Sequence, residues 1–187
     1  MFYIKLEENY ETSKDEYFHE QNIVIATGCK IGKGTTIRRN VTIMNNVTIG
    51  ENCHIGNNSL IREFVIVGDN TKIGFSNSIE PHAKIGNNSS SQGFCMISEH
   101  SKIGDNVFLG PYFNNPADNS IGRPKLPYEP NPSEVKSDCR IGSKVVITPG
   151  HVIEEGCIIG AGSVVTKNTD KREIWYGNPA IKIGDVE

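Results

Sequence analysis

Five histidines and five cysteines are the side chains best equipped for chemistry in this 187-residue chain. An imidazole exchanges protons near neutral pH, and a thiolate is a nucleophile or a metal ligand. His82 and His100 stand eighteen residues apart, and His100 directly follows Glu99. A carboxylate beside an imidazole can orient the ring and raise its basicity, so Glu99 and His100 read as a general-base pair. His19 lies in an irregular opening segment, His54 is expected to meet solvent, and His151 is expected to be an inward structural histidine. Cys29, Cys53, Cys95, Cys139 and Cys157 form no CxxC pair and therefore no zinc pattern. Nor do any two of the histidines stand within a few residues of each other.

What positions these groups is a repeat. Stepping by six from Ile25 gives Ile31, Ile37, Ile43, Ile49, Ile55, Ile61, Val67, Ile73, Ile79, Ile85, Ser91, Ile97, Ile103 and Leu109. The phase slips by two and resumes at Val135, Ile141, Ile147, Ile153, Ile159 and Val165. A period of six does not fit a helix of 3.6 residues per turn and does fit very short strands. Four residues after nearly every rung comes a small or β-branched residue, and all five cysteines fall in that column as small buried hydrophobes. Glycine recurs every eighteen residues at Gly32, Gly50, Gly68, Gly86, Gly104 and Gly122, so one turn of coil has three sides. Asn52, Asn70, Asn88 and Asn106 follow two residues later, and both residue types tolerate the positive φ of a tight corner.

The repeat fails between Gly110 and Val135, in a segment rich in Pro and Asn. Proline cannot donate to a ladder, so this is expected to be an excursion over about 111–134, with Ile121–Gly122 still in the earlier phase. Residues 1–21 are expected to cap the coil, residues 22–170 to form it, and residues 171–187 to leave it as a tail. A net charge of −3 with no basic stripe excludes broad nucleic-acid binding. No apolar run approaches the ~18 residues of a membrane span. The acidic opening segment has no apolar core of a secretory signal.

The hexapeptide ladder resembles that of the hexapeptide-repeat acyltransferases over roughly residues 22–182. The resemblance implies an all-β fold, a left-handed parallel β-helix with one excursion loop and short terminal caps. It implies the hand, which the general rule for parallel crossovers would reverse. The segment IIGAGSVVTK at 158–167 with YGNPA at 176–180 is similar to the family's coenzyme-A signature. That similarity implies acetyl-CoA as co-substrate with no metal, a homotrimer, and pantetheine contacts from Gly160 and Ala161, with Ser143 one coil earlier. Lys167 and Lys182 are then expected at the phosphates and Asn178 and Pro179 near the adenine. Trp175 and Tyr176 are expected to pack a subunit contact.

The stretches at 98–119 and 134–150 look like the members acting on nucleotide-linked amino sugars. Those for 3-amino sugars carry a Glu where Glu99 stands and a Thr-Asn-Asp loop, here Phe113-Asn114-Asn115-Pro116-Ala117-Asp118. This implies Glu99, His100, Asn114 and Asn115 as catalytic residues, with Asn114, Asn115, His82 and Arg62 at the substrate and Arg123 a further candidate for its diphosphate. The implied activity is N-acetylation of a nucleotide-linked deoxyamino sugar in the cytoplasm, for surface-glycan synthesis. An O-acetyltransferase acting on a sugar or polysaccharide is the alternative. A sugar hydroxyl needs a strong base, and the excursion holds no histidine, which favours nitrogen. A non-catalytic scaffold is a third reading.

Overall fold

The computed structural model describes residues 3–123 and 128–187. Over these residues the chain is all-β and winds as a left-handed parallel β-helix. Its walls are three sheets of 10, 9 and 8 strands, called here the first, second and third wall. Most strands are two residues long, with the second residue pointing inward. In the second wall Ile43 pairs with Ile61, Ile61 with Ile79, and Ile79 with Ile97. All four are fully buried. Each such isoleucine contributes ~1.5–3 kcal/mol of burial, and none can be removed without opening a void between two coils.

The small inward column has a polar task as well. The Thr35 hydroxyl donates to Gly50 O at 2.9 Å and accepts from Cys53 N at 3.0 Å. Ser59, Thr71 and Ser89 repeat this clasp on later coils. Corner backbone groups that the strand ladder misses are thus satisfied inside the coil. The five cysteines are buried and free, and Cys29, Cys53 and Cys139 likewise point their thiols at a carbonyl of the next coil.

The corners separate the glycines from the asparagines. Asn52, Asn70, Asn88 and Asn106 have φ of 54–56°, as expected. Gly50, Gly68, Gly86 and Gly104 do not have positive φ. They are required because a Cβ at Gly50 would lie 2.7 Å from Asp69 N, against the corner of the next coil. Bulky residues occupy the left-handed position elsewhere, among them Phe64, His82, His100, Phe94 and Tyr112. Their rings form external ladders: Phe64, His82 and His100 stack at 4.9 Å, and Phe94 on Tyr112 at 5.0 Å.

Both ends are closed by strands. Tyr3–Lys5, Tyr10–Glu11 and Glu16–Phe18 each run antiparallel along the first strand of a different wall. This blocks three exposed ladder edges at once. At the other end Glu173–Gly177 continues the first wall and Ala180–Asp185 folds back on it. Trp175 pairs with Ile159 and is 8% exposed, so it is the last rung of the core rather than part of a subunit contact. Its indole donates to Glu173 at 2.8 Å.

The excursion starts later than 111. Phe113 and Asn115 are fully buried, and Asn114–Asn115 is a strand of the second wall between Met96–Ile97 and Val146–Ile147. The coil is left at Pro116 and rejoined at Glu134–Val135. Ile121 is 87% exposed and takes no part in the coil, contrary to its phase. Residues 124–127 of this segment and residues 1 and 2 of the opening cap lie outside the described residues.

Candidate active site

Four strands of the second wall end at one corner, where the chain turns towards the third wall. The residues just past their inward side chains are Arg62, Glu80, Ser98 and Pro116, one per coil. The excursion folds over this corner and encloses a cavity of about 440 Å³. Arg62, Glu80, Glu99, Asn114, Asp118 and Tyr128 line it. Three carboxylates thus face one guanidinium. Arg62 lies 3.2 Å from Glu63 and 3.2 Å from Glu80, so its charge is already matched. Glu80 also accepts from Ser78 Oγ at 2.6 Å. Glu63 is held below the usual carboxylate range by its own backbone amide and by Arg62. The remaining pair, Glu99 and Asp118, accepts the hydroxyls of Tyr128 and Ser120 respectively. Asn114 Oδ1 is buried here without a partner. A cavity of this make-up is suited to a cation with N–H groups, such as a protonated amine.

The expected residues divide. Glu99, Asn114 and Arg62 meet in this cavity. Asn115 does not: its Oδ1 accepts from Ser98 N at 3.1 Å and its Nδ2 donates to Ser101 Oγ at 2.8 Å inside the coil. An inward rung cannot touch substrate, which corrects its assignment as a catalytic and binding residue. His100 and His82 stack on each other outside the cavity, at 1° between ring planes. Glu99 binds Tyr128 and not His100, so the expected base pair is not formed. Arg123 is exposed and does not line the cavity. Glu80, Asp118 and Tyr128 were not anticipated. Glu80 stands eighteen residues after Arg62, so the outward corner column carried a signal. Asp118 ends the loop that the family resemblance singled out, displaced from the family's position, and Tyr128 lies in the aperiodic excursion and carried no signal.

The C-terminal signature forms a second feature at the opposite edge of the second wall. Gly110, Gly142 and Gly160 stack there, and a Cβ on Gly142 would lie 2.5 Å from Ala161 N. Pro111, Ser143 and Ala161 follow as a ledge. Ser143 Oγ donates to Pro111 O at 3.0 Å. Gly160 N already donates to Trp175 O at 2.8 Å, which corrects its expected role as a donor to a ligand. Ala161 is exposed, and its N–H has no protein acceptor among the described residues. Tyr176 lies over Gly160, where an added Cβ would be 2.4 Å from the ring. Lys167 is exposed, as are Asn178 and Pro179 in the turn between the two terminal strands. Lys182 is held by Glu173 at 2.9 Å and Asp185 at 2.7 Å, so its charge is spoken for. Glu173 in turn lies below the usual carboxylate range, first because of Lys182.

Comparisons with known proteins agree with this architecture. The bacterial transferase hexapeptide (six repeats) family model matches residues 28–63 and 132–167. The dTDP-3-amino-3,6-dideoxy-α-D-galactopyranose 3-N-acetyltransferase of Aneurinibacillus thermoaerophilus is 46% identical over 46 residues, 25% of this chain and 24% of its own length. The matches span about a quarter of the length of the curated relatives. Among solved structures, a UDP-N-acetylglucosamine acyltransferase from Campylobacter jejuni superposes with a TM-score of 0.72 at 17% identity, covering 86% of this chain and 65% of that one. A mutant of AntD, an N-acyltransferase from Bacillus cereus in complex with dTDP and coenzyme A, gives 0.52 at 24% identity, covering 84% of each chain. At such identities these two speak for the fold alone. The matched blocks, the inward ladder that joins them and the coil they build are similar to those of the bacterial transferase hexapeptide family.

Proposed function

We propose that the chain transfers an acetyl group from acetyl-CoA to the amine of a nucleotide-linked deoxyamino sugar. The observation that carries this reading is the acidic cavity under the excursion, where Glu99, Asp118 and Asn114 Oδ1 offer acceptors to an ammonium group. The local identity to a 3-N-acetyltransferase for a nucleotide-linked 3-amino sugar supports the acceptor class. In the proposed step the ammonium gives one proton to Glu99. The neutral amine attacks the thioester carbonyl, a C–N bond forms, the C–S bond breaks, and the departing sulfur takes the second proton from the new amide nitrogen, so that coenzyme A leaves as the thiol. An amine needs placement and one proton acceptor rather than a strong base, so carboxylates suffice. Arg62 and Glu80 hold the cavity's floor in shape.

The ledge fits the co-substrate. The free N–H of Ala161, with small residues at Gly142, Ser143 and Gly160, would let a pantetheine arm approach the backbone and would offer a donor to the thioester carbonyl. Lys167 and the Asn178–Pro179 turn, all exposed, would meet its nucleotide end. The ledge and the cavity occupy different corners of the coil. We therefore assign a homotrimer in which the ledge of one copy faces the cavity of the next, operating in the cytoplasm where both substrates are made. The test is a panel of uridine- and thymidine-diphosphate 3-amino and 4-amino sugars with acetyl-CoA, read by a mass gain of one acetyl group. Transfer only to hydroxyl acceptors, or to none of the panel, would overturn the reading.

A further inference from the structure

A second cavity lies across the excursion from the first. It measures about 260 Å³ and is lined by His100, Lys102, Asn131, Ser133, Glu134 and His151, besides two prolines and backbone. The acceptor cavity and the ledge use none of these side chains. Four observations bear on what it holds. Lys102 forms no ion pair among the described residues, and its register partners on the two adjacent strands are Lys84, a second ammonium, and Glu134. Glu134, the one carboxylate in the wall, is engaged by Lys136 at 2.7 Å. Ser133 is 1% exposed, and its hydroxyl is one of two buried side-chain polar atoms left unpartnered among the described residues. Such groups are rare and are ordinarily satisfied by something that binds.

The fourth observation is the tautomer of His151. Its Nδ1 lies 3.0 Å from Thr148 O and 3.0 Å from Thr148 Oγ1. Thr148 Oγ1 donates its own hydrogen to Val165 O at 2.9 Å. Both oxygens can therefore only accept, and Nδ1 must carry the hydrogen. Nε2 is left as the free nitrogen of a ring whose orientation is fixed. A ligand that satisfies this wall must offer negative oxygens to Lys102 and Ser133 and, in the same group, a hydroxyl that a neutral Nε2 can accept from. Hydrogen phosphate combines the two, as does a phosphomonoester in its monoanionic form. Sulfate and carboxylate lack the hydroxyl.

We infer that this cavity is a site for a phosphate group that carries one P–OH, with Lys102 as the charged donor and His151 as the residue that distinguishes phosphate from sulfate. The site stands apart from acetyl transfer, and its test uses no acetyl donor. Inorganic phosphate is titrated into the full chain, and the imidazole resonances of the five histidines are followed by NMR. The expected result is saturable shifts at His100 and His151 with none at His19, and at least about tenfold weaker response to sulfate. Lys102→Met should weaken phosphate about tenfold, while Lys33→Met, an exposed lysine near the other end, should not. The amide spectrum reports that each variant is folded. Thymidine 5′-monophosphate and thymidine separate the two sources of the group: displacement of phosphate by the nucleotide alone assigns a phosphate carried on a larger molecule, and no displacement assigns free phosphate. Unsaturable shifts, equal response to sulfate, or unchanged binding in Lys102→Met would overturn the inference.

Discussion

At the scale of single residues, proton transfer is the point on which the structure departs most from expectation. Glu99 faces the acceptor cavity, and His100, its neighbour in sequence, faces away from it. The left-handed φ of 58° at His100 turns the chain between them, so adjacent residues point into different spaces. Glu99→Gln should lower kcat/KM at least about a hundredfold with amine acceptors, whereas His100→Ala should cost less than about threefold. Initial rates across pH for both variants check this, and the reverse order would restore the histidine as base. Glu99 and Asn114 were legible through the family resemblance, and Arg62 follows the inward Ile61 of a regular strand. Asn115 misled for a physical reason. It occupies the next step of six after Leu109 but is polar, so a genuine inward rung looked like the end of the coil. Its amide is satisfied by Ser98 and Ser101, as Asn77 is by Cys95 and Ser91 two coils earlier.

At the scale of elements, the repeated strands could be read almost without loss and the closing strands could not. Rungs from Ile25 to Val165 follow one spacing because each wall demands one buried residue per hexapeptide. Trp175 lies opposite Ile159 only sixteen residues on, so the rung is real but out of phase. The opening strands pair antiparallel and have no repeat to betray them. The terminal pair has a measurable task. Trp175 caps the core, and Glu173 beneath it is 6% exposed and takes bonds from the indole, from Asp170 N and from Lys182. Trp175→Ala should cost about 3–5 kcal/mol by opening the last coil and stripping one donor from a buried carboxylate. Trp175→Phe, which keeps most of the packing, should cost about 1–3 kcal/mol. Urea denaturation midpoints give both values, and equal losses would show that the hydrogen bond and not the packing holds the end closed.

Two consequences belong to the whole molecule. Burial pushes the Cys95 thiol up to about 11 and the Cys139 thiol up to about 12, from an ordinary 9.0. The unfolded chain ionises these thiols near the ordinary value and the folded chain does not. Above pH 9 the unfolded state therefore binds fewer protons, and stability falls as pH rises towards 12. Denaturation midpoints should be level from pH 7 to about 8.5 and then decline, more steeply than in a Cys95→Ala/Cys139→Ala double variant whose remaining titration is shared. An equal slope would mean that the inner column does not set the alkaline limit.

The other consequence concerns how many copies make one site. The second wall carries the ledge on one edge and the acidic cavity on the other, so on the proposed function a single coil holds both halves of the chemistry facing different directions. A cyclic trimer turns one edge of each copy towards the opposite edge of the next. Glu99→Gln disables the cavity, and Ala161→Asp should disable the ledge by placing a carboxylate where a thioester carbonyl must lie. Each variant alone should be nearly inactive. Co-expressed in equal amounts with separate tags and purified as mixed assemblies, they should recover about a third of wild-type activity, because each mixed trimer has one interface of its three that joins an intact ledge to an intact cavity. If both halves instead served one copy, every subunit in the mixture would carry a broken site and no activity would return.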